Sequence, residues 1–301
     1  MTRFAWVLNL AADDELASLR RAGAASGHAQ RRVPKAAVRA RMAERVAELA
    51  LLVASGVLIG VGRDAEARGL RGRAFCPTPS ALEELAASGA FVPLAPTPHI
   101  LARANHRLFC AELGQTLDAA LWIEDEASLE AAFESRVLPS GSEWVLKHPH
   151  GYVGRLRHKT HAFDLRTKSF AFRCFSEAGG LQLEPWVERR GDYAIHGYVA
   201  SGGHVTLGSA TLQVCDANGV WQKTARAHDL STNEVRVLFD EGQRVAESLR
   251  EIGYFGPFGV DGFRYTDGAR IRFNPRCEVN ARYTMGWAIG MGGVRPDLSD
   301  D

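Results

Sequence analysis

The sequence has few cysteines, and they show no pattern. Five of them are scattered through 301 residues, and no two form a C-x-x-C pair: Cys76, Cys110, Cys174, Cys215 and Cys277. An odd and scattered set argues against a disulfide framework or a zinc ribbon, and it is typical of a reducing compartment. We therefore expect a cytoplasmic protein.

Long hydrophobic runs and an excess of one charge are also lacking. The longest apolar run, "LALLVASGVLIGVG" over residues 49–62, is too short to span a bilayer and is broken by glycines. The first residues become acidic too early for a signal peptide. The formal net charge of +1 gives no electrostatic reason to expect nucleic acid or a membrane surface as a main partner.

Several common catalytic signatures are missing too. No serine lies in a G-x-S-x-G elbow, and "GRLRHKT" has no glycine directly before its lysine, so it is not a Walker A loop. Basic residues surround a group of histidines, which argues against a zinc site there: His148, His150, His158 and His161.

The composition that remains is that of a globular protein, with 46% hydrophobic and 24% charged residues. In the first third, "FAWVLNLA" and "VLIGV" predict buried strands, and residues 37–54 show helical spacing. A further helix is predicted from Ser80, as its N-cap, to Ser88. The Pro-rich break "PLAPTP" (93–98) follows, so residues 1–97 are predicted to form a small parallel α/β domain.

The rest of the chain predicts an α+β arrangement with antiparallel sheets. Helical spacing is present over residues 100–114, 125–138 and 232–252, the last ending at Gly253. Strands are predicted at 143–149 and 181–188, and several more in the C-terminal third are joined by short Gly-containing turns.

The segment "CEVNAR" (277–282) places an acid, an amide and a guanidinium at alternate positions: Glu278, Asn280 and Arg282. Alternate side chains of a strand point to the same side. One interpretation is a strand with polar residues facing water. The other is a metal and phosphate site, because Mg²⁺ takes oxygen ligands and arginine binds anionic oxygens through its planar fork.

Two earlier segments carry related chemistry. Lys147 ends a predicted buried strand and precedes the glycine-containing loop "HPHGYVGR", an arrangement that suits phosphate binding. Asp261 lies in "GVDGF", on an apolar strand, where a buried carboxylate needs a partner or a metal.

Taken in order, four segments resemble the ATP-grasp superfamily: "EWVLKHPHGYVGR", "LEPWVE", "GYFGPFGVDGF" and "EVNAR". The motifs cover residues 107–286. The resemblance implies an N-terminal α/β domain (1–97), a small lobe with the glycine loop (98–187) and a C-terminal lobe with the metal site (188–301). Antiparallel sheets of the two lobes would clamp ATP between them.

The resemblance also implies roles for the nucleotide-binding residues. Lys147 would bind the α- and β-phosphates, and the loop around Gly151 and Gly154 would close over them. Arg107 stands where the family commonly has a first lysine. On the adenosine side, the implied set is Glu184 for the adenine amino group, the backbone of Trp186 and Val187 for the hinge, and Asp192, or otherwise Glu188, for the ribose.

For the metal, the resemblance implies that Asp261, Glu278 and Asn280 hold Mg²⁺ against the β- and γ-phosphates. Arg282, with Lys147, would be catalytic and would stabilise the anionic acyl phosphate or the tetrahedral intermediate. A competing frame, "RFNPR", offers Asn274 and Arg276 as the N-x-R pair. We prefer the later frame because it alone contains a carboxylate.

The implied activity is that of an ATP-dependent carboxylate–amine ligase, which forms an amide or peptide bond through an acyl phosphate. Its partners would be small-molecule or peptide carboxylates and amines, and a homodimer is one option for its assembly. Two alternatives stay open at this point: a nucleotide-binding regulatory protein with the same fold, and an ATP-grasp kinase.

Overall fold

The computed structural model describes residues 3–22, 49–54, 56–60, 64–135, 143–151, 156–215 and 221–299. Most of the helix predicted over 37–54 lies outside these residues, and so does Gly154. No helix among the described residues is long and apolar enough to cross a membrane.

The N-terminal part is a parallel α/β unit, as predicted. Strand β1 lies in the centre of a three-stranded sheet, parallel to β2 on one side and β3 on the other. All four residues of β1 are buried. The elements are β1 (Phe4–Val7), α1 (Ala12–Ala22), α2 (Ala50–Val53), β2 (Val57–Leu58), a 3-10 helix (Asp64–Ala67), β3 (Arg71–Ala74) and α3 (Pro79–Ala87).

Helix α3 begins one residue before its predicted N-cap. Proline suits the first helical position, because its missing N–H would have no partner there. Ser80 instead donates to Glu15 on α1, through its backbone N–H (2.9 Å) and its hydroxyl (2.5 Å). The serine therefore joins two helices rather than capping one, and the N-cap prediction for Ser80 is wrong.

The middle part contains a four-stranded antiparallel sheet in the order β4-β7-β5-β6. Its buried face packs against α6 and α7 around Leu129, Leu146 and Leu183. The elements are α4 (Pro98–Ala104), α5 (Arg107–Glu112), β4 (Leu121–Ile123), α6 (Glu126–Ser135), β5 (Trp144–Lys147), β6 (Arg157–Thr160), α7 (Leu165–Ala178) and β7 (Leu181–Pro185).

The predicted helix over 100–114 is two helices, because polar side chains break it at Asn105 and His106. Asn105 donates to the carbonyl oxygens of Leu101 (2.9 Å) and Ala281 (3.2 Å). His106 caps α5 by accepting from the N–H of Leu108. The break ties the start of α5 to the end of the last long strand.

The C-terminal part is a six-stranded antiparallel sheet, in the order β11-β10-β8-β12-β13 with β9 paired to β8. Helix α8 packs on it through Leu238, Val245 and Leu249, and a capping box of Ser231 and Glu234 starts that helix. The elements are β8 (Glu188–Val199), β9 (Val205–Leu207), β10 (Thr211–Cys215), β11 (Trp221–Arg226), α8 (Thr232–Glu251), β12 (Gly256–Asp267), β13 (Arg270–Asn280), α9 (Trp287–Gly290) and a 3-10 helix (Pro296–Leu298).

Each of the three sheets takes its strands from one of the three predicted segments, 1–97, 98–187 and 188–301. The boundaries at residues 97 and 187 themselves stay predictions. The strand predicted over 181–188 is wrong as one element. It ends at Pro185, and β8 begins at Glu188 in a different sheet. Proline has no N–H to continue the ladder, which accounts for the end of β7.

Arg276 joins β13 to α8 and to the end of α5. Its Nε donates to Glu241 (2.5 Å) and its Nη2 to the carbonyl oxygen of Gly114 (2.6 Å), while Nη1 donates to the carbonyl oxygen of Cys110. The Arg276 and Glu241 side chains are 2% and 10% exposed. Glu241 also accepts from Arg244 (2.6 Å), so removing Arg276 takes away one of its two cations and leaves the carbonyl oxygens of Cys110 and Gly114 without this donor.

We therefore expect Arg276→Met to lower the free energy of unfolding by about 3 kcal/mol. The methionine keeps the apolar stem, so the loss measures the charge and its hydrogen bonds. Urea unfolding followed by circular dichroism measures this change. A loss below about 1 kcal/mol would mean that Arg276 does not hold these elements together.

Candidate functional site

A cavity of about 250 Å³ lies where strands of the four-stranded and six-stranded sheets face each other and the N-terminal part closes one end. It collects most of the predicted site residues that the structure describes: Arg107, Lys147, Gly151, Asp192, Asp261, Glu278, Asn280 and Arg282. Glu184, Trp186 and Val187 do not line it.

The predicted metal ligands lie side by side on two neighbouring strands. Asp261 on β12 is directly opposite Glu278 on β13, and Gly259 is opposite Asn280. The Asn280 amide donates to Asp261 Oδ2 (3.0 Å), and Gln213 on β10 donates to Asp261 Oδ1 (2.6 Å). Antiparallel pairing and the two-residue side-chain period thus converge two carboxylates and one amide.

Asp261 carries the clearest electrostatic sign of a cation site. Burial, and secondarily the negative charge of Glu278, raises the pKa of Asp261 to about 7, while hydrogen bonding from Gln213 and the charge of Arg282 oppose the rise. Two facing carboxylates repel each other unless positive charge lies beside them, and Arg107 supplies it to Glu278 (3.2 Å). Their hard oxygen atoms, with the amide oxygen of Asn280, are a donor set that fits Mg²⁺.

Arg282 continues this line of residues toward the N-terminal part. Its Nη1 donates to Asn280 Oδ1 (2.7 Å), and its Nη2 donates to Asp13 Oδ2 on α1 (2.8 Å). The Arg282 and Asp13 side chains are 12% and 8% exposed, so the ion pair is well shielded from water. The guanidinium is thereby held at the cavity by contacts from two parts of the fold.

The competing N-x-R frame, Asn274 and Arg276, lies apart from the predicted metal ligands. Asn274 and Arg276 line a second, smaller cavity and not the main one, and both are buried, at 1% and 3% exposure. Asn274 Oδ1 accepts from the backbone N–H of Arg276 (3.3 Å), and Arg276 is committed to Glu241. A bulge in the β12–β13 ladder between Asp261 and Phe263 separates the two frames. Of the two N-x-R pairs, Asn280 and Arg282 are the ones beside Asp261.

Lys147 and Arg107 bring positive charge to the opposite wall. Lys147, the last residue of β5, donates to Glu184 Oε2 on β7 (2.5 Å), with side-chain exposures of 13% and 8%. Arg107, the first residue of α5, donates to the carbonyl oxygens of His148 (3.2 Å) and Gly151 (3.1 Å) and to Glu278 Oε1 (3.2 Å). Arg107 therefore bridges the glycine loop and the acidic cluster formed by Asp261 and Glu278.

The predicted adenosine-binding residues lie at the second cavity and in the link between β7 and β8. Glu184 lines a cavity of about 120 Å³ that shares Arg107 and Cys277 with the main one. The break between β7 and β8 falls at Trp186 and Val187, as a hinge between two sheets requires. The Trp186 N–H already donates to the carbonyl oxygen of Glu143 (2.7 Å), so a hinge contact from Trp186 would come from its carbonyl.

The two ribose candidates differ in position. Asp192 on β8 lines the main cavity and accepts from Arg189 (2.6 Å), which lines it as well. The Glu188 side chain is 62% exposed, pairs with Arg190 (3.1 Å) and does not line the cavity. The structure thus places Asp192, the preferred candidate, at the cavity.

The histidines of the 148–161 segment were the other candidates for a metal site. No group of three or more His, Cys, Asp or Glu side chains able to hold a metal ion occurs within the described ranges. His158 stacks on Phe170 and contacts Thr167 on α7 (3.1 Å), which makes it part of the packing of the small sheet.

Sequence reasoning missed several residues that line the cavity. Asp13 had one sequence signal, the acidic first turn of a helix that directly follows a strand. No short-range pattern indicated Gln213, Arg189, His196 or Thr284, because each reaches the cavity through strand pairing in the large sheet or through the loop after β13.

No protein-family model matches the chain. In sequence, it is 29% identical over 197 residues to the butirosin acyl-carrier protein–L-glutamate ligase of Niallia circulans, a match that covers 64% of this chain and 46% of that protein. The chain thus spans about half the length of the curated relative that it matches.

Solved structures match nearly the whole chain in fold. D-alanyl-alanine synthetase A from Vibrio cholerae O1 biovar eltor matches with a TM-score of 0.53 at 12% identity, over 99% of this chain and 94% of that one. The biotin carboxylase–β,γ-ATP complex from Campylobacter jejuni matches with a TM-score of 0.53 at 13% identity, over 96% and 72%.

A third match is the biotin carboxylase domain of the Hydrogenobacter thermophilus 2-oxoglutarate carboxylase, in complex with MgADP, ADP and bicarbonate. Its TM-score is 0.53 at 14% identity, over 94% of this chain and 65% of that one. Identities this low establish the fold and not the substrate. The structural matches show that the chain shares the fold of these enzymes, the ATP-grasp fold that the order of its motifs predicted.

Proposed function

We propose that this protein is an ATP-dependent ligase that joins a carboxylate to an amine through an acyl phosphate and produces ADP. One observation carries the proposal: Asp261, Glu278 and Asn280 face each other on adjacent strands of one cavity, with Arg282 beside them. Lys147 and Arg107 on the opposite wall supply the positive charge that a triphosphate needs.

The same cavity suits Mg²⁺·ATP. Lys147 and Arg107, with the loop at Gly151, would bind the phosphates, and Glu184 and the hinge at Trp186 and Val187 would receive the adenine. Asp192 would bind the ribose. Asp261, Glu278 and Asn280 would hold Mg²⁺, which would neutralise phosphate charge during transfer. Structural neighbours that contain β,γ-ATP or MgADP support this assignment.

The reaction itself would use the chain mainly for positioning and charge neutralisation. A substrate carboxylate oxygen attacks the γ-phosphorus, and ADP leaves. The amine nitrogen then attacks the carbonyl carbon of the acyl phosphate, loses a proton and expels phosphate. Arg282, which lines the cavity beside Asn280, would stabilise negative charge on the acyl phosphate and on the tetrahedral intermediate.

The substrates are proposed only by class. The Niallia circulans relative is named for L-glutamate and an acyl-carrier protein as its two substrates. For this chain we propose a small-molecule or peptide carboxylate and an amine, and attachment to a carrier protein is one form in which the amine is presented. The free cysteines support a cytoplasmic setting.

An ADP-release screen tests the proposal. Purified protein with Mg²⁺ and ATP is offered carboxylates and amines singly and in pairs, including amino acids and acyl-carrier proteins. We expect ADP release that depends on a pair. Release with a single compound and accumulation of its phosphorylated product would indicate a kinase, and nucleotide binding without any release would indicate a regulatory protein.

A further inference from the structure

His196 is a buried polar residue at the end of the cavity that Arg282 occupies. It lies on β8, is 1% exposed, and lines the cavity together with Thr284. Its Nε2 is 3.1 Å from Thr211 Oγ1 on β10, and its Nδ1 is 3.1 Å from Thr284 Oγ1. The nucleotide and metal assignments give this histidine no role.

Close packing fixes the orientation of the His196 ring. A Cβ at Gly290 would lie 2.2 Å from His196 Cδ2, and one at Gly286 would lie 3.1 Å from Nε2. A Cβ at Gly259, on the neighbouring strand, would lie 3.2 Å from Nδ1. Three glycines therefore make the space that the ring fills, and its two nitrogens are held toward the two threonines.

The hydrogen bond from Thr211 to Ala194 fixes the direction of the two hydrogen bonds to His196. Thr211 Oγ1 donates its only proton to the carbonyl oxygen of Ala194 (3.2 Å). All contacts are satisfied together only if His196 Nε2–H donates to Thr211 Oγ1. Burial lowers the pKa of His196 to about 4, so the ring is neutral and Nδ1 carries no proton at neutral pH.

The bare Nδ1 then accepts the hydroxyl proton of Thr284. With that proton committed to His196, the Thr284 oxygen can offer a molecule in the cavity only lone pairs. An acceptor-only group selects a ligand that brings an N–H or O–H. Of the two proposed substrates the ionised carboxyl group has neither, whereas the amine has N–H bonds.

We propose that Thr284 accepts a hydrogen bond from the N–H of the amine substrate, and that His196 is the positioning residue that turns the Thr284 oxygen toward it. This inference rests on the proposed ligase function. It assigns the amine to the Arg282 end of the cavity, so that the nitrogen lone pair is directed to the acyl phosphate held there. Thr284 follows Arg282 by two residues, and both line the same cavity.

Thr284→Val tests the inference, because it removes the hydroxyl and keeps the branched shape. With the substrate pair that supports ADP release, we expect the KM of the amine to rise about threefold to tenfold, the range for one neutral hydrogen bond. The KM values of ATP and of the carboxylate should stay within twofold. Thr284→Ser, which restores the hydroxyl, should restore the amine KM.

A matched control is Thr206→Val on β9, outside the cavity lining, which should leave all three KM values unchanged. His196→Gln, which is close to histidine in volume and has no acceptor at the Nδ1 position, should raise the amine KM about twofold to threefold. The double variant should be no worse than Thr284→Val alone, because the two residues act through one hydrogen bond.

The outcomes separate the inference from the function on which it rests. Pair-dependent ADP release by the unaltered protein with an unchanged amine KM in folded Thr284→Val would overturn the inference alone. A rise in the carboxylate KM instead of the amine KM would also overturn it. If no pair supports ADP release, the ligase function falls, and this inference falls with it.

Discussion

Glu278→Gln is expected to lower the rate of ADP release by about 1,000-fold or more. Glu278 lies opposite Asp261 and two residues before Asn280, and it would supply the charge that the proposed metal site needs. Losing a charged ligand beside a triphosphate removes roughly 4 kcal/mol of transition-state stabilisation. The glutamine keeps the size of the side chain, so circular dichroism and thermal unfolding should stay close to those of the unaltered protein.

Two further variants make this result specific. Glu247→Gln makes the same change on the exposed face of α8 and should leave turnover unchanged. Asn280→Ala should lose most of the activity, whereas Asn274→Ala should lower stability and keep the turnover of the folded fraction at saturating ATP, because Asn274 lies beside the second cavity and not in the metal cluster. Near-normal ADP release by well-folded Glu278→Gln would show that this cluster does not hold the metal ion used in the reaction.

Lys147→Ala and Arg282→Ala are expected to fail in different ways. Lys147 is assigned to ATP in the ground state, so its removal should weaken nucleotide binding about 10- to 100-fold, the range for a charge-assisted hydrogen bond. Arg282 is assigned to charge that develops after phosphoryl transfer begins. Its removal should lower kcat about 30- to 1,000-fold and change ATP affinity little.

The Lys147→Ala and Arg282→Ala variants are also matched in their expected effect on stability. Each leaves a buried carboxylate without its cation, Glu184 in one case and Asp13 in the other. Both should therefore lose stability to a similar degree, and only the functional effects should differ. Titration of a fluorescent ATP analogue and steady-state turnover, measured below the unfolding range of both, separate them. Loss of ATP binding in Arg282→Ala but not in Lys147→Ala would mean that the two roles are reversed.

The features predicted from the sequence are those set by local periodicity. Alternation along a strand was enough to place Glu278 and Asn280 on one side, and the order of four motifs was enough for the fold. Arg282 lines the same cavity, but from two residues beyond the end of β13. The predicted convergence of Lys147 with the acidic cluster also agrees with the structure, since both line one cavity.

The features that were missed depend on long-range pairing. Asp13 meets Arg282 across 269 residues, and Gln213 meets Asp261 across 48, through the edge of the N-terminal unit and the order β10-β8-β12. Arg276 looked like a site residue because its neighbours in sequence copy the motif. Its burial against Glu241 depends on where α8 packs, which no local pattern shows.

The breaks at Asn105 and at Trp186 have different origins. Helical spacing continues through Asn105, but its amide is used by the backbone of Ala281, so a tertiary contact overrides a local preference. The strand predicted over 181–188 instead ends at a local feature, because Pro185 has no N–H, and the chain enters a different sheet at Glu188.

The most direct measurement of the central claim follows oxygen from the carboxylate to phosphate. The substrate pair found by ADP release is used with an ¹⁸O-labelled carboxylate, and the released inorganic phosphate is analysed by mass spectrometry. A ligase that forms an acyl phosphate transfers one ¹⁸O per turnover, because the carboxylate oxygen that attacks the γ-phosphorus leaves with it. We predict one ¹⁸O atom in each phosphate released, together with ADP. Unlabelled phosphate from a reaction that still forms the amide would contradict the account.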